Sequence, residues 1–271
     1  MRIRHPANAS NSTSSALFDS ISTIDEISSD YESTMEYRDR MRPKVPRGYS
    51  SQGHLLCLLG TTTLGTLLPL GCWLSNASNS WAQFAIFVPC ALVYANLAEY
   101  FIHRFGGHHT ALRSSRIKPL KLFRFYHAVV HHTFFSDGDS FAAEEPEDLF
   151  FVLFPAWVYL GWLLCTAAPM AVLPLILWRG SDSSSGGGGG EWRSSGAVQL
   201  LLASASFSLL QYELLHTFHH QALTPSLQRW LERVPALRTM QRRHLRHHSG
   251  TRKGNYNITW PWSDYCFGTL L

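Results

Sequence analysis

Several things are scarce in this chain. Its five cysteines, Cys57, Cys72, Cys90, Cys165 and Cys266, are scattered without a CxxC pair, and the first four lie in or beside apolar runs, so a disulfide framework is excluded. No charged start followed by an apolar run marks a signal peptide, and the acids Asp19, Asp25, Glu26, Asp30, Glu32 and Glu36 argue against a transit peptide. Basic residues do not interleave with aromatics, and the net charge of +4 therefore predicts no nucleic-acid partner. Residues 1–50 are rich in Ser and Thr and cannot build a core; they are expected to be a disordered segment, with a short interfacial helix as the alternative.

What the chain has instead is apolar length. Leu55 to Leu74 carries no charge, and Trp81 to Ile102 is charged only at Glu99. Each matches the roughly 20 residues that cross a hydrocarbon core of about 30 Å. Between them, residues 75–80 leave room only for a tight hairpin. A third block, Leu149 to Trp178, contains Pro155, Pro169 and Pro174 and reads as one kinked span or as re-entrant helices. The fourth runs from Gly196 into His216, and its Ala203, Ser204, Ala205, Ser206 and Ser208 predict close helix contact. Before it, residues 179–195 form a Ser/Gly-rich loop expected to be flexible.

The fold class that follows is all-α: a polytopic membrane protein of about four transmembrane helices, with residues 51–271 as one membrane domain. Six Arg or Lys fall in 103–148, eight in 217–271 and five in 38–47, against none in 75–80 and two in 179–195. The positive-inside rule then predicts that both termini and the middle segment are cytosolic, which requires four crossings and makes the third block a single one.

Fourteen histidines are the sharpest anomaly, and twelve of them stand in four groups: His103, His108 and His109; His127, His131 and His132; His216, His219 and His220; His244, His247 and His248. The charge-derived topology gathers all four at one membrane face, as a cytosolic histidine-rich cap. On an α-helix His127 with His131, His216 with His220, and His244 with His247 and His248 would share faces. Twelve imidazoles exceed the needs of one zinc, and two metals can share them. A two-metal centre built chiefly of histidine suits a redox metal that activates dioxygen, so iron is preferred, while zinc would support hydrolysis. The imidazoles, rather than the Glu plus Glu-x-x-His pattern of soluble di-iron bundles, are expected to hold the metals.

Other positions carry weaker signals. His54 reads as a packed or exposed histidine, and His109 and His219 as either ligands or neighbours that orient ligands. Glu99 and Glu213, in or at the edge of spans, need partners, and histidine N–H groups are the expected ones. The acidic run Asp139, Glu144, Glu145, Glu147 and Asp148 reads first as a solvated face. The rings of "WPWSDYCFG", around Asp264, are expected to anchor the tail on the membrane.

The succession "HRFGGH", "HAVVHH", "HTFHH", "HLRHH" and "GTRKGNYNITWPWSDYCFGTL" resembles the fatty acid hydroxylase superfamily, which includes sterol desaturases, sphingolipid and fatty acid hydroxylases and carotenoid hydroxylases. The resemblance covers about residues 55 to 271. It implies an integral membrane enzyme, commonly of the endoplasmic reticulum, that uses O2 and two iron ions to hydroxylate or desaturate an unactivated C–H bond of a membrane lipid of the sterol, sphingolipid or fatty acyl class. Carried over box by box, the metal ligands are His103 and His108; His127, His131 and His132; His216 and His220; and His244, His247 and His248. Asn255, ahead of Tyr256, matches a position where similar members carry Asn before an aromatic. The chain has no fused haem-binding domain, so the resemblance implies a separate electron donor such as cytochrome b5 or its reductase. Two rivals stand beside this reading: a catalytically inactive lipid-binding membrane scaffold, and a metal-dependent lipid hydrolase.

Overall fold

The computed structural model describes residues 34–77, 79–136, 141–155, 157–178, 190–249 and 253–271, and these are almost entirely helical. Among the described residues three helices are long and apolar enough to cross a membrane: Ser51–Ser75 (α2), Trp81–Gly107, and Gly196–His219. The second is an α-helix over Trp81–Phe101 (α3) that continues as a π-helix over Ile102–Gly107, and the third lies within Gly190–His219 (α7). Pro69 and Pro89 sit inside α2 and α3, as a lipid environment tolerates.

The α7 helix is central and packs against α2, α3 and Val158–Trp178 (α6). Its small residues explain this position. Ala203, Ser204, Ala205, Ser206 and Ser208 are all buried, Trp162 Nε1 of α6 donates to Ser208 Oγ at 3.0 Å, and the Tyr159 and Ser206 hydroxyls are 2.8 Å apart. On the opposite side of α2, Leu56, Leu64, Leu67, Leu68 and Leu74 face outward, a stripe suited to hydrocarbon. The turn joining α2 to α3 is tight: Asn79 Nδ2 donates to Trp73 O at 2.7 Å, and Ser80 with Gln83 forms a capping box.

The third apolar block is divided rather than continuous. Leu149–Val152 (α5) is a short helix whose Leu149, Phe151 and Val152 are buried, and only Val158–Trp178 continues as a long helix. The break falls at the Phe154–Pro155 segment, where a missing N–H interrupts the helix. Phe151 and Val152 are drawn into a core of Tyr37, Met41, Val130, Phe134 and Phe135, and Leu149 into a smaller one with Leu58 and Leu153. At 21 residues and about 1.5 Å each, α6 is about 31 Å long.

Helical structure also precedes residue 50. Thr34–Met41 forms a helix (α1) whose Tyr37 and Met41 enter the larger core, and Arg38 on α1 and Arg42 just after it meet the acidic run. Arg42 binds Asp148 through Nε at 2.9 Å and Nη2 at 3.0 Å. Asp148 is fully buried and also accepts from the Glu144 and Glu145 amides, so the acidic run is in part a clamp and not simply a solvated face. Residues 1–33 and Asp139 lie outside the described residues, as does 179–189 of the loop expected to be flexible; α7 begins at Gly190.

The remaining helices cap one end of the bundle, where α2 and α6 begin and the second and third spans end. They are Lys118–Arg124 (α4), which continues as a π-helix over Phe125–His131, then Pro225–Leu231 (α8), Pro235–His248 (α9) and Trp262–Cys266 (α10).

Candidate metal centre

Two groups of imidazoles form within this cap. His103, His108, His127, His132 and His247 make the first, His131, His220, His244 and His248 the second, and in each the ligand atoms lie within 4.8 Å of one another. Nine of the ten predicted ligand positions are in these groups. The tenth, His216, touches the second: its Nε2 is 3.3 Å from His131 Nε2.

The pairing differs from the one an α-helix would give. His127 and His131, expected on one face, belong to different groups, while His127 pairs with His132 and His103 with His108. Both pairs are five residues apart and span π-helical turns, whose wider winding joins residues i and i+5 by the backbone hydrogen bond. On α9 the regular pitch keeps His244 with His248 and sends His247 to the first group. Gly107 leaves room for the first group, since a Cβ there would sit 2.8 Å from the His127 ring.

Backbone carbonyls fix the tautomers. His131 Nδ1 donates to Phe151 O at 2.8 Å, His220 Nδ1 to Phe141 O at 2.9 Å and His247 Nδ1 to Gly254 O at 2.8 Å; His103 and His248 do the same to Tyr256 O and Phe135 O. A carbonyl only accepts, so each of these rings carries its proton on Nδ1 and turns a bare Nε2 lone pair inward. Burial, reinforced by His247, His131 and Arg124, pushes His108 down to about 2. Burial brings His131 and His247 to about 4 and holds His127, His132, His220, His244 and His248 well below the usual imidazole range, with neighbouring imidazoles adding to it. These eight rings are neutral at pH 7, as metal ligands must be.

The lone pairs then meet one another. His108 Nε2 is 3.0 Å from His127 Nε2 and 3.1 Å from His247 Nε2, and His244 Nε2 is 3.0 Å from His220 Nε2 and 3.1 Å from His248 Nε2. One proton on His108 or His244 cannot serve two neighbours, and unshared lone pairs at this distance repel. A cation removes the conflict. Metal–nitrogen bonds of about 2.1 Å place adjacent ligand atoms about 3.0 Å apart at a right angle and about 3.4 Å apart at the tetrahedral angle. The observed spacings fall in that interval, so the residues present fit two metal ions.

Other candidates fall outside the groups. His109 is exposed and its Nδ1 accepts from the Ala111 amide as a cap. His219 is buried with both ring nitrogens lacking a partner, its ring 5.2 Å from that of His244. Glu99 does not pair with a histidine; it accepts from the Ile258 and Thr259 amides and the Thr259 hydroxyl, holding the segment that supplies Tyr256 O to His103. Asp264 accepts from the Tyr256 and Asn257 amides at 2.9 and 2.7 Å and braces the same segment. Glu213, although three residues before His216, is outside both groups; it faces the Phe154 amide, and neither oxygen makes a well-formed hydrogen bond. Asn255 takes a left-handed φ of 54°, which Asn tolerates, and its Oδ1 accepts from the Leu271 amide at 2.9 Å. It thereby orders the turn that presents Gly254 O to His247.

A cavity of about 520 Å³ opens beside the two groups and reaches His127, His131 and His216. Phe123, Val130, Phe150, Leu153 and Val158 line it, and among the described residues no Asp, Glu, Lys or Arg does. At its edge His54 Nε2 donates to Phe154 O and its Nδ1 accepts from Tyr49 OH, both at 3.0 Å. Apolar membrane-crossing helices with two histidine groups suited to a binuclear metal site define the class: a helical integral-membrane protein of the metal-binding kind. No family model, curated protein or solved structure compared with the chain matches it.

Proposed function

We propose that the protein is an O2-dependent di-iron oxidoreductase that hydroxylates or desaturates an unactivated C–H bond of a membrane lipid, as its resemblance to the fatty acid hydroxylase superfamily implies. The observation that carries this reading is the joining of two converging sets of neutral imidazoles to an uncharged cavity at the end of an apolar bundle. His103, His108, His127, His132 and His247 would hold one ion, and His131, His220, His244 and His248 the other, with His216 at the margin of the second. Bound there, iron supplies the oxidising power to break a C–H bond with dioxygen as oxidant.

The chain's own part is binding and placement. Phe123, Val130 and Leu153 exclude water and seat an apolar substrate beside His127 and His131, and the absence of charged lining makes the enclosed part of that substrate uncharged. Backbone carbonyls hold the imidazole protons on Nδ1, away from the metals. With α6 as a fourth crossing, both termini and the cap lie on the cytosolic side, in the endoplasmic reticulum by the same resemblance. Electrons come from a separate donor such as cytochrome b5 or its reductase.

The test is metal analysis of protein purified without oxygen, together with lipid analysis of cells expressing the wild type or His131→Ala. Two irons per chain and a histidine-dependent product differing by one oxygen or two hydrogens support the proposal. Zinc-supported activity without O2 would make it a hydrolase, and no bound metal a lipid-binding scaffold.

A further inference from the structure

Arg38 on α1 has no exposed surface. Its Nε donates to Phe134 O at 2.8 Å and its Nη2 to Ala142 O at 2.6 Å, while Nη1 lies 3.2 Å from the Glu144 carboxylate. The guanidinium carbon stands 5.0 and 5.3 Å from the ring centres of Phe134 and Phe135. One side chain therefore ties together two backbone points on either side of residues 137–140. Just inside those two points lie Phe135 O, which receives His248 Nδ1, and Phe141 O, which receives His220 Nδ1 at 2.9 Å.

We propose that Arg38 is the positioning residue of the second imidazole group: it fixes the separation of the two carbonyls on which His248 and His220 hang, and so sets the aim of their Nε2 atoms. The inference rests on the reading of these groups as metal sites. Two arguments favour it over a purely structural role. A buried charge is a costly way to fill a core, where apolar residues often replace a whole buried ion pair without loss. The neighbouring carbonyls of Phe134 and Ala142 are also met by two N–H groups of one rigid planar fork, which lysine does not have. Arg42, on the same side of the chain, supplies the contrast: it binds Asp148 and Glu144 and reaches neither carbonyl.

The experiment compares full-length wild type, Arg38→Met, Arg38→Lys and Arg42→Met in detergent, loaded with ferrous iron without oxygen and challenged with a chelator. Metal per chain, release rate and thermal midpoint are read. Wild type should retain two ions. Arg38→Met should retain one and release the other about tenfold faster or more, the scale seen when a group that orients a ligand is lost. Arg38→Lys should release the same ion at an intermediate rate, and Arg42→Met should keep both ions even where its midpoint falls. Two tightly held ions in Arg38→Met would overturn the proposal while leaving the metal reading intact, as would loss of both ions in step with the midpoint. No metal on wild type would overturn both. Should Arg38→Met fail to fold, Arg38→Lys decides: faster release of one ion supports the role, and release at the wild-type rate overturns it.

Discussion

The two imidazole groups do the same thing with different supports. The first hangs on the carboxyl tail: Tyr256 O and Gly254 O orient His103 and His247, and that tail is braced by Glu99, Asp264 and Asn255. The second hangs on the middle of the chain: Phe135 O, Phe141 O and Phe151 O orient His248, His220 and His131, and the first two carbonyls lie between the clamp points of Arg38. All four rings of the second group are buried, whereas His108 and His132 of the first are only half-buried. The two groups, which share α9, should therefore be loosened one at a time, because their backbone supports come from separate segments, the carboxyl tail and the middle of the chain.

The largest effect should come from removing an imidazole that meets two others. His244→Ala should leave one ion per chain and lower turnover at least about a hundredfold, read by metal analysis and product formation, since a directly coordinating group outweighs those behind it. Turnover within a few fold of wild type would show that the second group is not required. Next, Glu99→Ala leaves the Ile258 and Thr259 amides unpaired, at about 1–3 kcal/mol each, and should weaken the first site while sparing the second. A fall in thermal midpoint with selective loss of one ion is expected; equal loss from both sites would erase the contrast between them. Gly107→Ala should act more gently on the same site, because the added methyl displaces only the His127 ring. A metal affinity indistinguishable from wild type would show that His127 accommodates it.

The smallest effect concerns pH and the metal-free protein. A histidine that titrates at about 6.5 unfolded and at about 4 in the folded chain, as His131 and His247 do, binds fewer protons when folded at acid pH. Stability is then complete above about 6.5 and drains away as pH falls toward 4. The thermal midpoint should drop between pH 7.5 and 5, and a flat profile would mean that the rings are not buried neutral.

The parts of this architecture that were legible in the sequence are those set by local chemistry. The apolar runs from Leu55 and Trp81 became α2 and α3, and the small residues of the fourth block became a buried contact face, because length and side-chain size act without reference to the rest of the fold. The histidine groups were visible for the same reason. The division of those groups was not. It depends on two π-helical turns, and a turn of that kind is made by packing rather than by residue preference. Arg38 was equally hidden: in the sequence it counts only as one of the five cations of 38–47 that mark the cytosolic side, and only the carbonyls of Phe134 and Ala142 give it a place. The Glu99 contact with Ile258 and Thr259 joins residues far apart in the chain, and no spacing rule reaches that distance.

By itself the amino-acid order decided that this chain holds apolar helices long enough for a bilayer and histidines enough for two metals, since hydrophobic length and ligand chemistry belong to the residues themselves. Tertiary structure alone decided which imidazole joins which group and which nitrogen each turns inward. Those choices are made by carbonyls and helical pitch contributed from distant segments, and they exist only once α1, the cap and the carboxyl tail have closed around the end of the bundle.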